Sequence, residues 1–154
     1  MRRLPTFRLT IALVAWSWIA LEAPRMALFR EIGLDEFTYA HGGWLNSQGE
    51  IPYRDFFFHH FPGALGLLSS VFRFGMTGSE ALLALRLLMV LCFLGMLAIC
   101  SRLSSRDFFF SLFTPLFLLV NEPFMGSMLS ILPDSFALMF FLGSLLSYKR
   151  SPAA

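Results

Sequence analysis

Charge is the scarcest commodity in this chain. Only 14% of its 154 residues are Asp, Glu, Lys or Arg, where an ordinary soluble domain carries about a quarter. Hydrophobic residues reach 56% and the mean hydropathy is +0.67. Such a chain has too little polar surface to stay dissolved, so a bilayer is its natural solvent. The net charge of +2 is small, and the basic residues form no aromatic-interleaved stripe, which excludes a nucleic-acid partner. Two cysteines, Cys92 and Cys100, share one apolar run. They cannot build a disulfide framework or a zinc site, which need clustered ligands, and read as buried thiols. There is no glycine-rich phosphate loop and no GxSxG, so soluble-enzyme readings find no motif. No two glycines stand four apart, so a GxxxG helix-pairing face is absent. No repeat or low-complexity linker is visible.

What is present is apolar sequence in four blocks. Residues 9–29, 81–100, 108–122 and 134–148 are candidate membrane spans. The first is plainly apolar to residue 21 and continues across Glu22, Pro24 and Arg25. A hydrocarbon core of about 30 Å needs about 20 helical residues. Only the second block meets that alone; the third and fourth borrow flanking residues or are partly re-entrant. The expected fold class is therefore an all-α integral membrane protein of about four spans. Arg2, Arg3 and Arg8 precede span one, Arg102 and Arg106 separate spans two and three, and Lys149 and Arg150 follow span four. Cytoplasmic segments collect Lys and Arg, which puts the N-terminus inside and residues 30–80 outside a plasma (inner) membrane. Nine of the ten acids then fall in the outward loops, at 22–80 and 121–134; Asp107 is the exception. A signal peptide is the rival reading of Met1-Arg2-Arg3 and Ala20-Leu21-Glu22-Ala23, but the later spans favour a retained anchor. Residues 151–154 form a short tail.

The outward loop carries most of the information. Residues 35–48 read as a short helix: Phe37, Ala40, Trp44 and Leu45 repeat at helical spacing. Such a helix lies along the membrane surface with Trp44 at headgroup depth, and Gly49 ends it. Pro52 and Pro62 bracket an extended aromatic segment, and a second amphipathic stretch, 64–74, leads to span two. Asp35 and Glu36 sit at the first helix's N-terminus. Either can cap it, an effect of about 0.5–2 kcal/mol, or serve as a general base for an acceptor hydroxyl. One can cap while its neighbour faces a cavity. His59 and His60 are adjacent, so in a strand they face opposite ways and cannot share one metal. One of them with Asp35 or Asp55 could hold a divalent ion, the minor alternative to hydrogen bonding at the interface; no other cofactor is implied. Arg54 and Asp55 read as a solvated ion pair or a substrate contact. Arg86 lies about two turns into span two, where a charge costs about 2.5–3.5 kcal/mol on insertion scales. It either snorkels or binds a lipid phosphate. Asp134, after Pro133, suits the start of span four or lines the same outward cavity as Asp35.

At these residues the chain resembles the GT-C superfamily of membrane glycosyltransferases, near the protein O-mannosyltransferases and lipid A aminoarabinose transferases. The resemblance rests on Asp35-Glu36 soon after span one and on Gly49-Glu50-Ile51-Pro52-Tyr53-Arg54-Asp55-Phe56. His60-Phe61-Pro62-Gly63, Phe74-Gly75, Arg86 and Pro133-Asp134 follow in order. It implies a sugar donor on a polyprenyl phosphate, a glycan, lipid or protein acceptor, and inverting transfer with Asp35 as general base and Glu36 beside it. It places Tyr53, Arg54, Asp55, His59, His60, Arg86 and Asp134 among the substrate contacts. Family members are much longer, with many more spans, so the resemblance covers their N-terminal portion and implies a fragment or a module needing a partner. The alternative is a non-catalytic multi-pass protein, such as a transporter subunit or assembly factor. Thr114 and Pro115, which break span three, favour it; the gathering of acids in outward loops favours surface chemistry.

Overall fold

The computed structural model describes residues 6–60, 62–103, 117 and 121–150. Among them the chain is all-helical: α1 (Thr6–Phe29), α2 (Leu34–Ser47), α3 (Gly63–Arg73), α4 (Ser79–Leu103), α5 (Glu122–Met128) and α6 (Pro133–Arg150). The expected loop helices are α2 and α3. The apolar block continuing past residue 21 is a single helix, α1, with Pro24 inside it. The third expected span, 108–122, lies almost wholly outside the described residues, and with it Thr114 and Pro115.

The spine is α4. Its sequence is dominated by Leu, Ala and Met with no proline, residues that lose little freedom in a helix. Glu80 in its first turn and Arg102 in its last suit the helix dipole. Ser79–Cys100 is the one helix among the described residues long and apolar enough to cross a membrane. Leu83, Leu87, Leu91 and Leu94 lie exposed along one face of it, the spacing of a single helical stripe.

Two apolar clusters pack on the other sides of α4. In one, Ile19, Ala23 and Ala27 of α1 meet Val90, Phe93, Met96 and Leu97 of α4 and Met125 and Met128 of α5. In the other, Tyr39 and Ala40 of α2, Leu65 and Leu68 of α3, Phe136 of α6 and Phe58 of the segment before α3 surround Leu85 and Met89. α2 and α3 approach each other closely. A Cβ on Gly43 would stand 2.9 Å from the Leu68 Cβ, and one on Gly42 would stand 3.1 Å from Leu65 Cδ2. The Gly42–Gly43 pair is thus what lets α2 lie on α3. Gly49, at φ 94°, then turns the chain out of α2 in a conformation other residues rarely adopt.

Candidate functional site

The site is built where α1 gives way to α2. Consecutive helical residues point about 100° apart, so Asp35 and Glu36 face different surroundings. Glu36 turns inward and is buried. From the third helical position its Oε2 reaches back to accept the N–H of Gly33 at 3.1 Å, half of a capping box. The same oxygen accepts Arg86 Nη2 at 3.0 Å and lies 3.1 Å from Arg30 Nη2. Oε1 accepts the N–H of Ile131 at 3.0 Å, across 95 residues of sequence. One carboxylate therefore ties the end of α1, the start of α2, the middle of the α4 wall and the link between α5 and α6.

Arg86 completes the tie. It is 3% exposed, and donates to the carbonyls of Arg30 at 2.7 Å and Glu31 at 3.0 Å as well as to Glu36. It does not snorkel, and its Nη groups are occupied within the protein instead of facing an open cleft. The sequence leaves it to snorkel or to meet a lipid phosphate; in the structure its contacts fix the α1–α2 turn. Its Nε is buried without a hydrogen-bond partner among the described residues, an arrangement that costs about 1–3 kcal/mol. Arg30 extends the network outward, donating to the carbonyl of Gly126 at 2.7 Å and to Ser130 Oγ at 2.6 Å. Burial works to raise the Glu36 carboxyl, but the N–H groups of Gly33 and Ile131 and the Arg86 guanidinium together hold it below its ordinary value near 4.5.

Asp35 is exposed beside this fixed point. Tyr39 lies one turn further on, buried, and its phenol is pushed up first by burial and then by the charges of Asp134 and Asp35. Tyr39 lines a cavity of about 450 Å³ with His60, Ala64, Leu67, Phe136 and Phe140. Its ring stacks on His60, centroids 5.1 Å apart, and meets Phe58 edge-on. Asp134 follows Pro133, which lines the same cavity as Tyr39.

Residues 51–56 form a tight turn beside the cavity. Ile51 N–H donates to Asp55 Oδ2 at 2.8 Å, and Asp55 N–H returns to the Ile51 carbonyl at 2.9 Å. Arg54 grips Asp55 with two bonds of 2.8 Å, which raises the arginine and lowers the carboxyl. Both stay on the outer side of the turn. Tyr53 holds φ at 67°, a strained setting for a residue with a side chain. Its hydroxyl donates to the His60 carbonyl, which ties the turn to the cavity wall. The two histidines depart from expectation. Residues 57–60 form no regular strand, so side-chain alternation does not apply. The His59 and His60 rings lie together, centroids 3.8 Å apart and tilted by 47°. Among the described residues no three of His, Cys, Asp and Glu cluster as a metal site requires.

Arg30, Tyr39 and Ser130 belong to this site although nothing in the sequence marks them. Arg30 reads as an ordinary basic residue at the end of a span, and its partners lie about a hundred residues away. No protein-family model matches the chain, and no curated protein or solved structure proves detectably similar.

Proposed function

We propose that this chain belongs to a multi-pass membrane glycosyltransferase that uses a polyprenyl-phosphate sugar as donor at the extracytoplasmic face. Asp35 is its general base. The observation that carries this reading is a cavity of about 450 Å³ lined by Tyr39, His60 and Pro133, with exposed Asp35 one helical turn before Tyr39 and exposed Asp134 next to Pro133. The ordered likeness to GT-C enzymes supplies the chemistry. Asp35 takes the proton of the acceptor hydroxyl as the acceptor oxygen bonds to C1 of the sugar. The C1–O bond breaks on the opposite side, and polyprenyl phosphate leaves with the electron pair, inverting the centre. Phosphate is already a good leaving group, so one base suffices where a glycosidase needs a second carboxyl as acid. His60 lines the substrate space, Tyr53 is tied to it through the His60 carbonyl, and Asp134 follows the lining residue Pro133; Glu36 and Arg86 act as positioning residues that aim Asp35.

The membrane setting is supported by exposed apolar faces among the described residues. Besides the leucines of α4, Leu13, Val14, Trp18 and Leu21 of α1 and Phe140, Phe141 and Leu145 of α6 are exposed. Apolar patches of that extent suit lipid better than water. With the basic residues inside, α1, α4 and α6 are three of four spans, and α2 lies on the outer surface.

The test is Asp35→Asn in the full-length protein, reconstituted with a lipid-linked sugar and acceptor. Transfer is expected to fall at least about a hundredfold, the scale of lost general-base catalysis, while membrane insertion persists. Unchanged turnover removes Asp35 from the chemistry. A non-catalytic multi-pass protein is the second reading. It is favoured by one observation: the Glu36 carboxylate and both Nη groups of Arg86 are engaged in holding helices together. Absence of transfer in the wild type under every donor tried would support it.

A further inference from the structure

We infer that Arg25 and Arg30, at the C-terminal end of α1, bind the phosphate of an anionic membrane lipid whose chain lies along α1. The inference rests on α1 lying in the bilayer and not on sugar transfer.

Charge balance is the first ground. In the buried network two guanidinium groups, Arg30 and Arg86, share one carboxylate, Glu36. Glu31 gives Arg86 only its backbone carbonyl, and its side chain is exposed, as is that of Asp35. Arg86 is sealed, so an outside anion can meet the surplus positive charge only at Arg30, whose side chain is 35% exposed. Among the described residues the hydrogen bonds of Arg30 use Nη1 and Nη2, which leaves Nε for a further acceptor.

Shape is the second ground. Arg25, Met26, Phe29 and Arg30 line an open cavity of about 220 Å³ that sets two guanidinium groups beside apolar side chains. Arg25 is largely exposed and pairs with Glu22 at 2.7 Å, an ion pair that a surface setting makes weak. Val14, Trp18, Leu21, Arg25 and Phe29 follow one another at helical spacings of three and four. All the apolar members of that face are exposed. From Val14 to Arg25 the stripe runs about 16 Å, enough to receive an acyl chain whose headgroup ends at the arginines. Helix capping does not explain the pair, because Arg86 already donates to the last carbonyls beyond α1.

The experiment uses the full chain in phosphatidylcholine nanodiscs containing phosphatidylglycerol, with retained lipid counted by native mass spectrometry. The wild type is expected to retain phosphatidylglycerol over phosphatidylcholine. Arg25→Gln is expected to cut that preference about fivefold, the effect of one basic residue near a membrane surface. Arg25→Lys is expected to keep most of it, and Arg102→Gln, at the far end of α4, all of it. Arg25 is exposed, so its loss leaves the buried network intact, and a melting curve matching the wild type confirms that. Equal retention of the two lipids, or an Arg25→Gln variant that binds as the wild type does, overturns the site. Displacement of the lipid by inorganic phosphate alone overturns the lipid source in favour of a free anion.

Discussion

A single helical step turns a side chain by about 100°, and at the start of α2 that step separates two carboxylates. Glu36 enters a shell of four donors, two of them cationic; Asp35 is left in the open. Removing one partner of a buried ion pair strands the others, at about 3–5 kcal/mol. Glu36→Gln is therefore expected to destabilise the protein on that scale, read from chemical or thermal unfolding in detergent, whereas Asp35→Asn is expected to leave unfolding unchanged. The pH dependence follows from the same contrast. Folding holds the Glu36 carboxyl below its ordinary value near 4.5. Its contribution is fully present above that value and is lost as pH falls through the lower folded value. The wild type should thus lose stability on acidification below about pH 4.5, and Glu36→Gln should flatten that part of the profile. An identical slope in both proteins would count against Glu36 as the buried anion.

At the scale of elements, α2 is held on α3 by backbone proximity that only glycine permits. Gly43→Ala gains about 1 kcal/mol of helix propensity. Its Cβ, however, meets the Leu68 Cβ at 2.9 Å and the Leu68 backbone at 3.4 Å, atoms with no freedom to yield. Overpacking of this kind costs about 1–3 kcal/mol, so a net loss is expected. Gly42→Ala meets only the ends of the Leu65 and Phe58 side chains and should be milder; melting temperatures of the two variants check the order. Much at this scale was legible in the sequence. Apolar spacing marked α2 and α3, because surface helices declare themselves by period, and Gly49 marked the end of α2. The surroundings of Arg86 were not legible, since an arginine in an apolar run looks the same whether it faces lipid, ligand or a carboxylate fifty residues away. The contact between the two imidazoles was missed for a different reason. A segment bracketed by prolines was read with strand alternation, and residues 57–60 have no partner strand to impose it.

At the scale of the whole molecule, α4 divides two packed clusters and presents a leucine stripe outward. The proposed function needs that stripe in lipid and the α1–α2 turn at the outer boundary. The glycosyltransferase reading depends on that placement: Asp35, exposed beside the buried Glu36–Arg86 pair, has to face the extracytoplasmic side. The measurement that tests it most directly is labelling of Asp35→Cys in intact cells with a membrane-impermeant maleimide, Cys92 and Cys100 having been replaced by alanine. The account predicts rapid labelling without permeabilisation, equal to that of a cysteine at Asn46 on the same surface helix. Labelling that appears only after the membrane is opened would put Asp35 on the cytoplasmic side and contradict it.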